Sequence, residues 1–328
     1  MRLPVLSATT LLVAVPAFAE PPSLHWPVAC EIGRDCVIQH YVDRDPSPEA
    51  QDYHCGTLTY DGHDGTDIRI PTMAAQKAGV AVLAAADGTV LRTRDGVADV
   101  SIAEKGRDSV NAMECGNGVV IDHGDGWETQ YCHMAKDSLR VRSGDRIKAG
   151  DPIGLVGLSG LTEFPHLHFT VRRDAQVVDP FADGAQEKSC AGGPSLWRDD
   201  LRRGLAYTDG GVLNKGFSGG AVTMEAIESG TAEREVPTTQ SPALVAFVRA
   251  IGLKQGDEQV LILVDPDGTP AAQGKAPPLD RNKAQWMMFA GFKQPAGGFR
   301  PGLYRALYRV MRNGKPAIEQ AFGINLRP

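Results

Sequence analysis

The segment Pro165–Val171 reads PHLHFTV, and its polar and apolar side chains alternate from His166 onward. Successive side chains of a β-strand point to opposite faces of the sheet. Leu167 and Phe169 would therefore face a core, while His166 and His168 would lie together on the other face. The pattern predicts a half-buried strand that presents two imidazoles.

Similar short runs, separated by Asp-Gly, Gly-Asp and Gly-Asn turns, occur throughout residues 56–182, and they are typical of an all-β, mainly antiparallel fold. The predicted strands are Thr66–Ile70, Ala81–Ala84, Gly88–Arg92, Gly118–Asp122, Glu128–His133, Pro152–Val156 and His166–Arg172. Thr72–Gly79 is predicted to be a short helix or loop. Gly96–Asn117 is long for a hairpin connection, so it reads as an insertion.

Beyond this region the Gly-rich stretch Cys190–Gly219 indicates a boundary. Further strands are predicted over Leu244–Ala250, Gln259–Val264, Gln285–Phe289 and Tyr304–Met311. We therefore expect a wrapping segment over residues 20–50, a central domain over 51–189 and a small β-sandwich-like accessory domain over 190–328.

Residues 1–19 predict a secretory signal peptide, with Arg2, an apolar run over Leu3–Phe18 and a small-x-small cleavage site ending at Ala19. The alternative is a membrane anchor, but the run is shorter than the ~20 residues that span a bilayer. The mature protein is thus expected in the periplasm or secreted, with no membrane span. Its net charge of −6, without a basic block, argues against nucleic acid as a partner.

An even number of cysteines, six in this chain, predicts disulfides in an exported protein. A cysteine zinc site is excluded because no C-x-x-C spacing exists. A hairpin over residues 118–133 would bring Cys115 and Cys132 together, and the other pairs follow by elimination, with a link from Cys55 to Cys30 or Cys36 as the competing arrangement. The predicted pairs are Cys30–Cys36, Cys115–Cys132 and Cys55–Cys190.

Two histidine patterns suggest metal chemistry. One is the His-x-x-x-Asp of His63 and Asp67, which would meet on an extended strand or across a bend at Gly65. The other is the His-x-His of His166 and His168. Two histidines and one aspartate make a three-ligand zinc set that leaves a position open for water, as in hydrolases. Taken singly, each pattern also fits an ordinary polar strand face or turn.

Six stretches in the same order extend these patterns. They are HDGTDI (63–68), VLAAADGTV (82–90), GNGVVIDHG (116–124), YCHM (131–134), GDRIKAGDPIG (144–154) and PHLHF (165–169). In order, spacing and turn residues, this region resembles the lysostaphin/LytM-type zinc endopeptidases of bacterial cell walls.

The resemblance implies a role for five residues. His63, Asp67 and His168 fall on the positions of the Zn²⁺ ligands, and His133 and His166 fall on those of the catalytic histidines. His25, His40 and His54 lie outside the matching stretches, so no catalytic role is expected for them. His54 is close enough to His63 in sequence to be an accidental or inhibitory ligand, and His123 is predicted to be solvated in a turn.

The implied function is hydrolysis of peptide bonds in peptidoglycan, in stems or cross-links. One alternative is a non-catalytic LytM-type regulator that activates another wall hydrolase, although such relatives lack one or more of the five residues. Another is a secreted metalloprotease that acts on other peptides. A protein partner of the C-terminal domain is a further expectation.

Overall fold

The computed structural model describes residues 20–186, 188–190 and 192–328. The predicted signal peptide, residues 1–19, lies outside the described part of the chain. In the described part, no helix is both long and apolar enough to cross a membrane. The regular structure is predominantly antiparallel β-sheet, which confirms the predicted fold class.

Ten strands build the part of the fold that contains the histidine patterns. They are β1 (Val37–His40), β2 (Thr66–Arg69), β3 (Ala81–Leu83), β4 (Gly88–Arg94), β5 (Asn117–Gly124), β6 (Trp127–Met134), β7 (Arg146–Ile147), β8 (Pro152–Leu155), β9 (His166–Arg173) and β10 (Gln176–Val178). One sheet has the order β1-β2-β9-β6-β5-β4-β7, with β10 paired to β9, while β3 pairs with β8. Every strand predicted over residues 56–182 is present.

Short helices fill two of the connections in this part. Helix α1 (Met73–Ala78) begins after Thr72, whose hydroxyl accepts a hydrogen bond from the backbone N–H of Ala75 at 3.0 Å, so the helical reading of this segment is confirmed. The insertion contains α2 (Ile102–Lys105) and a 3-10 helix (Arg107–Val110). Both anchor the insertion, because each buries one apolar side chain.

Seven strands follow in the C-terminal part. They are β11 (Gly211–Ser218), β12 (Ala243–Leu253), β13 (Glu258–Val264), β14 (Pro270–Lys275), β15 (Lys283–Lys293), β16 (Gly302–Arg312) and β17 (Lys315–Leu326). They form the sheets β11-β12-β15 and β14-β13-β16-β17, which enclose one apolar core and confirm the sandwich prediction. Helix α3 (Met224–Ser229) and a 3-10 helix (Thr231–Glu233) join β11 to β12. The local sequence pattern did not predict α3, β11, β14 or β17.

The core under the first sheet draws on residues from both sides of the histidine-bearing region. Leu24 and Val28 are buried in it, and strand β1 extends the sheet at its edge. The segment 20–50 is therefore integrated into this fold, in contrast to the predicted surface wrapping. Trp197 and Leu205 also pack in the same core, beyond the predicted boundary at residue 190.

All three predicted disulfides are present, so that prediction is confirmed. They join Cys30 to Cys36, Cys55 to Cys190 and Cys115 to Cys132. The second pair links residues separated by 135 positions and thereby ties together the two ends of the histidine-bearing region. The third connects the end of the insertion to strand β6.

A buried ionic cluster connects the two parts of the protein. Arg69 of β2 donates to Glu228 of α3 at 2.7 Å and to Gln39 of β1 at 2.7 Å, and its guanidinium lies 3.9 Å from the ring centre of Phe164. Arg249 of β12 also donates to Glu228. Both arginine side chains are fully buried, so one carboxylate neutralises charge on both sides of the contact.

Candidate metal centre

The paired strands β2 and β9 bring the two histidine patterns together. Asp67 lies directly opposite His168 in the strand register. His63 precedes β2, and the chain bends at Gly65 between them, which is one of the two geometries that the sequence allowed. A side chain at Gly65 would not fit, because a Cβ atom there would lie 2.6 Å from Nε2 of His168.

Alternation along β9 is as predicted from its sequence. Leu167 and Phe169 are completely buried in the core below the sheet. His166 and His168 project from the opposite face toward Asp67. The apolar positions therefore fix the orientation of the strand, and the orientation of the strand fixes the imidazoles.

Three side chains converge closely. Oδ1 of Asp67 lies 3.2 Å from Nε2 of His63 and 2.9 Å from Nδ1 of His168, and these two nitrogens are 3.2 Å apart. The three residues form a group with the spacing of metal ligands. These are the residues that the sequence analysis selected as ligands, and the fold brings all of them to one point.

Hydrogen bonds determine which ring nitrogen faces this point. Nδ1–H of His63 donates to the carbonyl oxygen of Tyr41 at 2.6 Å, and Nε2–H of His168 donates to Oδ1 of Asp64 at 3.0 Å. The other nitrogen of each ring then directs a lone pair toward Oδ1 of Asp67. Three lone-pair atoms this close repel each other unless a proton or a metal cation lies between them. Two imidazoles and a carboxylate are donors that suit Zn²⁺, so the residues fit this ion.

The pKa values at the centre point to the same conclusion. Burial would raise the pKa of Asp67, but the neighbouring imidazoles, first His166 and then His63, hold it well below its ordinary value. Burial would lower the pKa of His168, but hydrogen bonds to Asp64 and Asp67 outweigh this effect and raise it to about 9. A field that stabilises an extra proton here also stabilises a metal cation.

The two histidines predicted to be catalytic lie beside the ligand group. Nδ1–H of His166 donates to the carbonyl oxygen of Phe164 at 3.0 Å, and its Nε2 lies 3.3 Å from Oδ1 of Asp67. Nδ1–H of His133 donates to the carbonyl oxygen of Ser159 at 2.8 Å. The ring centres of His133 and His166 are 4.7 Å apart. Burial, together with His166 and His168, keeps the pKa of His133 well below its ordinary value, so this ring is a neutral proton acceptor.

A cavity of about 350 Å³ opens beside this centre. Its lining includes Tyr60, Asp64, Glu114, Leu161, Cys115, Cys132, Gln130, His133, His168, Thr170 and Arg172. Arg172 donates to Oδ2 of Asp64 at 2.9 Å and to Oε1 of Gln130 at 2.6 Å. A chain bound in the cavity would contact His133 and His168 directly. The insertion supplies part of the wall through Glu114.

His40 is a neighbour of the centre that the sequence analysis did not identify. Its Nδ1 lies 2.9 Å from Oδ2 of Asp67, the carboxylate oxygen that faces away from His63 and His168. Strand β1 places it there, because His40 pairs with Asp67 across a register shift in the sheet. Such an outer hydrogen bond orients a ligating carboxylate. His40 therefore belongs to the surroundings of the centre, although it lies outside the stretches that carry the resemblance.

Two other histidines are away from the centre. His54 is exposed and its ring stacks on Tyr207 with the ring centres 4.4 Å apart, so it is not an accidental ligand. His123 is not freely solvated as predicted, because Nδ1–H donates to the carbonyl oxygen of Asp87 at 2.7 Å and Nε2 lies 2.8 Å from the hydroxyl of Thr129. Burial lowers the pKa of His123.

Comparison with known proteins gives matches to this same region. Residues 61–180 match the family model described as peptidase family M23. The cell division protein DipM of Caulobacter vibrioides is 32% identical over 124 residues, which cover 36% of this chain and 17% of DipM. The peptidoglycan DD-endopeptidase ShyA of Vibrio cholerae is 34% identical over 107 residues, 33% of this chain and 19% of ShyA. The chain thus spans less than a quarter of either relative.

Solved structures give similar partial matches. A zinc containing peptidase from Vibrio cholerae is 27% identical, with a TM-score of 0.29 and coverage of 43% of this chain and 39% of that one. The catalytic domain of lysostaphin from Staphylococcus simulans is 23% identical, with a TM-score of 0.27 and coverage of 42% of this chain and 85% of that one.

Proposed function

Since residues 61–180 match the model of peptidase family M23, we propose that this protein is a zinc-dependent endopeptidase that hydrolyses peptide bonds of bacterial peptidoglycan. The convergence of His63, Asp67 and His168 on one point, with His133 and His166 beside it, is the observation that supports the proposal most. All five residues keep the chemical types that metal-assisted hydrolysis needs.

In this proposal His63, Asp67 and His168 hold the metal, through Nε2, Oδ1 and Nδ1. A zinc ion at such a site polarises a peptide carbonyl and makes water a stronger acid. His133, neutral and buried, accepts a proton through Nε2, because its Nδ1–H is held by Ser159. His166, likewise held through Nδ1, directs Nε2 toward the centre and donates a hydrogen bond to the developing oxyanion when it is protonated.

The names of the relatives support peptidoglycan as the proposed substrate. ShyA and a DD-carboxypeptidase/endopeptidase of Neisseria meningitidis are named for this kind of activity. We propose D,D-cross-links as the scissile bonds on this ground. We also propose export to the periplasm or beyond, which the three disulfides support because such bonds persist in oxidising compartments.

The test is digestion of purified peptidoglycan by zinc-loaded protein, followed by mass analysis of the fragments. We expect cross-linked muropeptides to be converted to monomers by the wild type and not by His133→Ala. A chain that binds zinc but releases no fragments from any wall type would falsify the proposal and would favour the regulator. Cleavage of casein-type peptides without cleavage of the wall would instead favour a secreted metalloprotease that acts on other peptides.

A further inference from the structure

The backbone at His133 has an unusual conformation. Its φ is +61°, in the left-handed region that residues other than glycine rarely adopt. Asn117 pairs with Met134 and Val119 pairs with Tyr131, so two residues of β6 face one residue of β5. This is a β-bulge, a feature that bends a strand and changes the direction of a side chain. The bulge lets His133 point toward the centre.

Three hydrogen bonds hold His133 in this conformation. Its backbone N–H donates to the carbonyl oxygen of Cys115 at 2.8 Å, and its own carbonyl oxygen accepts from Gly157 at 3.0 Å. The third is the bond from Nδ1–H to Ser159. All three partners lie on two loops, Cys115 at the end of the insertion and Gly157 and Ser159 in the 157–160 turn, so the position of His133 depends on how firmly those loops are attached.

The disulfide Cys115–Cys132 attaches the first of these loops at the bulge itself. Cys132 is the residue immediately before His133, and Cys115 provides the carbonyl that accepts from the N–H of His133. The cross-link and the hydrogen bond therefore close a small ring around the bulge. The backbone at the bulge packs closely against Gly118 of β5, since a Cβ atom at Gly118 would lie 2.5 Å from the carbonyl oxygen of Tyr131 and 3.0 Å from Sγ of Cys115.

We propose that the disulfide Cys115–Cys132 is a positioning element for His133, which holds the bulge in the conformation that directs the imidazole at the substrate. It acts through His133 alone and not through the metal ligands, and it makes turnover depend on oxidation of this one cysteine pair. The inference rests on the proposed function, in which His133 accepts a proton.

The first test compares Cys115→Ala/Cys132→Ala with Cys30→Ala/Cys36→Ala, which removes a disulfide elsewhere. We expect the first variant to keep its zinc affinity and KM but to lose about 10-fold or more in kcat, equivalent to about 1.4 kcal/mol. The control should keep kcat. Equal kcat values for the two variants, or a loss of zinc from the first, would overturn the proposal. Brief reduction of folded wild-type protein, with thiol labelling of Cys115, gives the same comparison if the variant does not fold.

A double-mutant cycle tests whether the disulfide acts through His133. In a His133→Ala background, removal of the disulfide should cause no further loss of kcat. An additional 10-fold loss in that background would mean that the disulfide stabilises the site as a whole, and the positioning role would be wrong.

A measurement without turnover separates this proposal from the proposed function. In protein labelled with ¹⁵N-histidine, the Nδ1–H of His133 should give a protected resonance, because it is buried and bonded to Ser159. We expect the resonance to vanish in Cys115→Ala/Cys132→Ala and to remain in the Cys30/Cys36 variant. An unchanged resonance would refute the positioning role even if the wild type proved inactive on every wall tested.

Discussion

Replacing His40 by alanine removes the hydrogen bond to Oδ2 of Asp67 and leaves the three proposed ligands in place. The Asp67 side chain is only 3% exposed, so water can replace the lost donor only through the space that His40 vacates. His40 itself is 17% exposed, so its removal admits some solvent from one side. The substitution therefore weakens the support of one proposed metal ligand, Asp67, without removing that side chain.

The expected magnitude follows from this burial. A buried acceptor left without its donor costs about 1–3 kcal/mol. Loss of an outer hydrogen bond to a metal ligand typically reduces metal affinity about 10- to 100-fold. Because water reaches the vacated position, we expect the lower end for His40→Ala, an increase of about 10-fold in the Kd for zinc, or about 1.4 kcal/mol.

The assay is competition for zinc with a chromophoric chelator at fixed pH. His54→Ala is the matched control, since the sequence analysis grouped the two residues but His54 lies away from the centre. His40→Asn retains an N–H donor and should recover part of the affinity. If His40→Ala bound zinc as tightly as His54→Ala, the supporting role of His40 would be refuted.

Three further outcomes are expected. His168→Ala should lose zinc and activity together, whereas His133→Ala should keep zinc and lose about 10²–10⁴-fold in rate; full activity of His133→Ala would contradict its role. Burial raises the pKa of Asp179 from 3.8 to about 6, so the folded state binds the extra proton between these values and stability falls as pH rises through that range. Asp179→Asn should therefore stabilise the protein above pH 6, by up to about 3 kcal/mol, and not at pH 4. If thermal unfolding showed an equal gain at both pH values, the raised pKa of Asp179 would not be the cause of the stabilisation. Glu228→Gln should lower the free energy of unfolding in urea by about 3 kcal/mol, because it leaves two buried guanidinium groups uncompensated. The control Glu225→Gln, on the exposed face of the same helix, should lower it little, and equal effects of the two substitutions would show that the buried pairs add no stability.

The sequence predicted the parts of the fold that depend on local pattern. Alternation from His166 to Val171 gave the orientation of β9, and the hairpin over residues 118–133 gave the Cys115–Cys132 pair. Strand β11 was missed because its glycines are typical of a linker, while pairing with β12 makes it a strand. Tertiary contacts outweigh weak local propensity at such positions.

The site was predictable to the same extent. The five histidine and aspartate positions follow from motif spacing and resemblance, but His40 does not. Its contact with Asp67 requires β1 to pair with β2 across 27 residues, with a register shift just before His40. The left-handed conformation of His133 was also not predictable, because histidine is enriched at positive φ too weakly to predict it at a single position.

Strand β1 has a practical consequence for engineering. A fragment cut at residues 61 and 180 would leave β2 as the outermost strand, with unpaired backbone groups that invite association with other chains. It would also lack Leu24, His40 and Trp197, and both cysteines of the Cys55–Cys190 bond. A transplantable catalytic module should therefore begin before Leu24 and extend past Leu205, about half as long again as the segment that comparison with relatives would suggest.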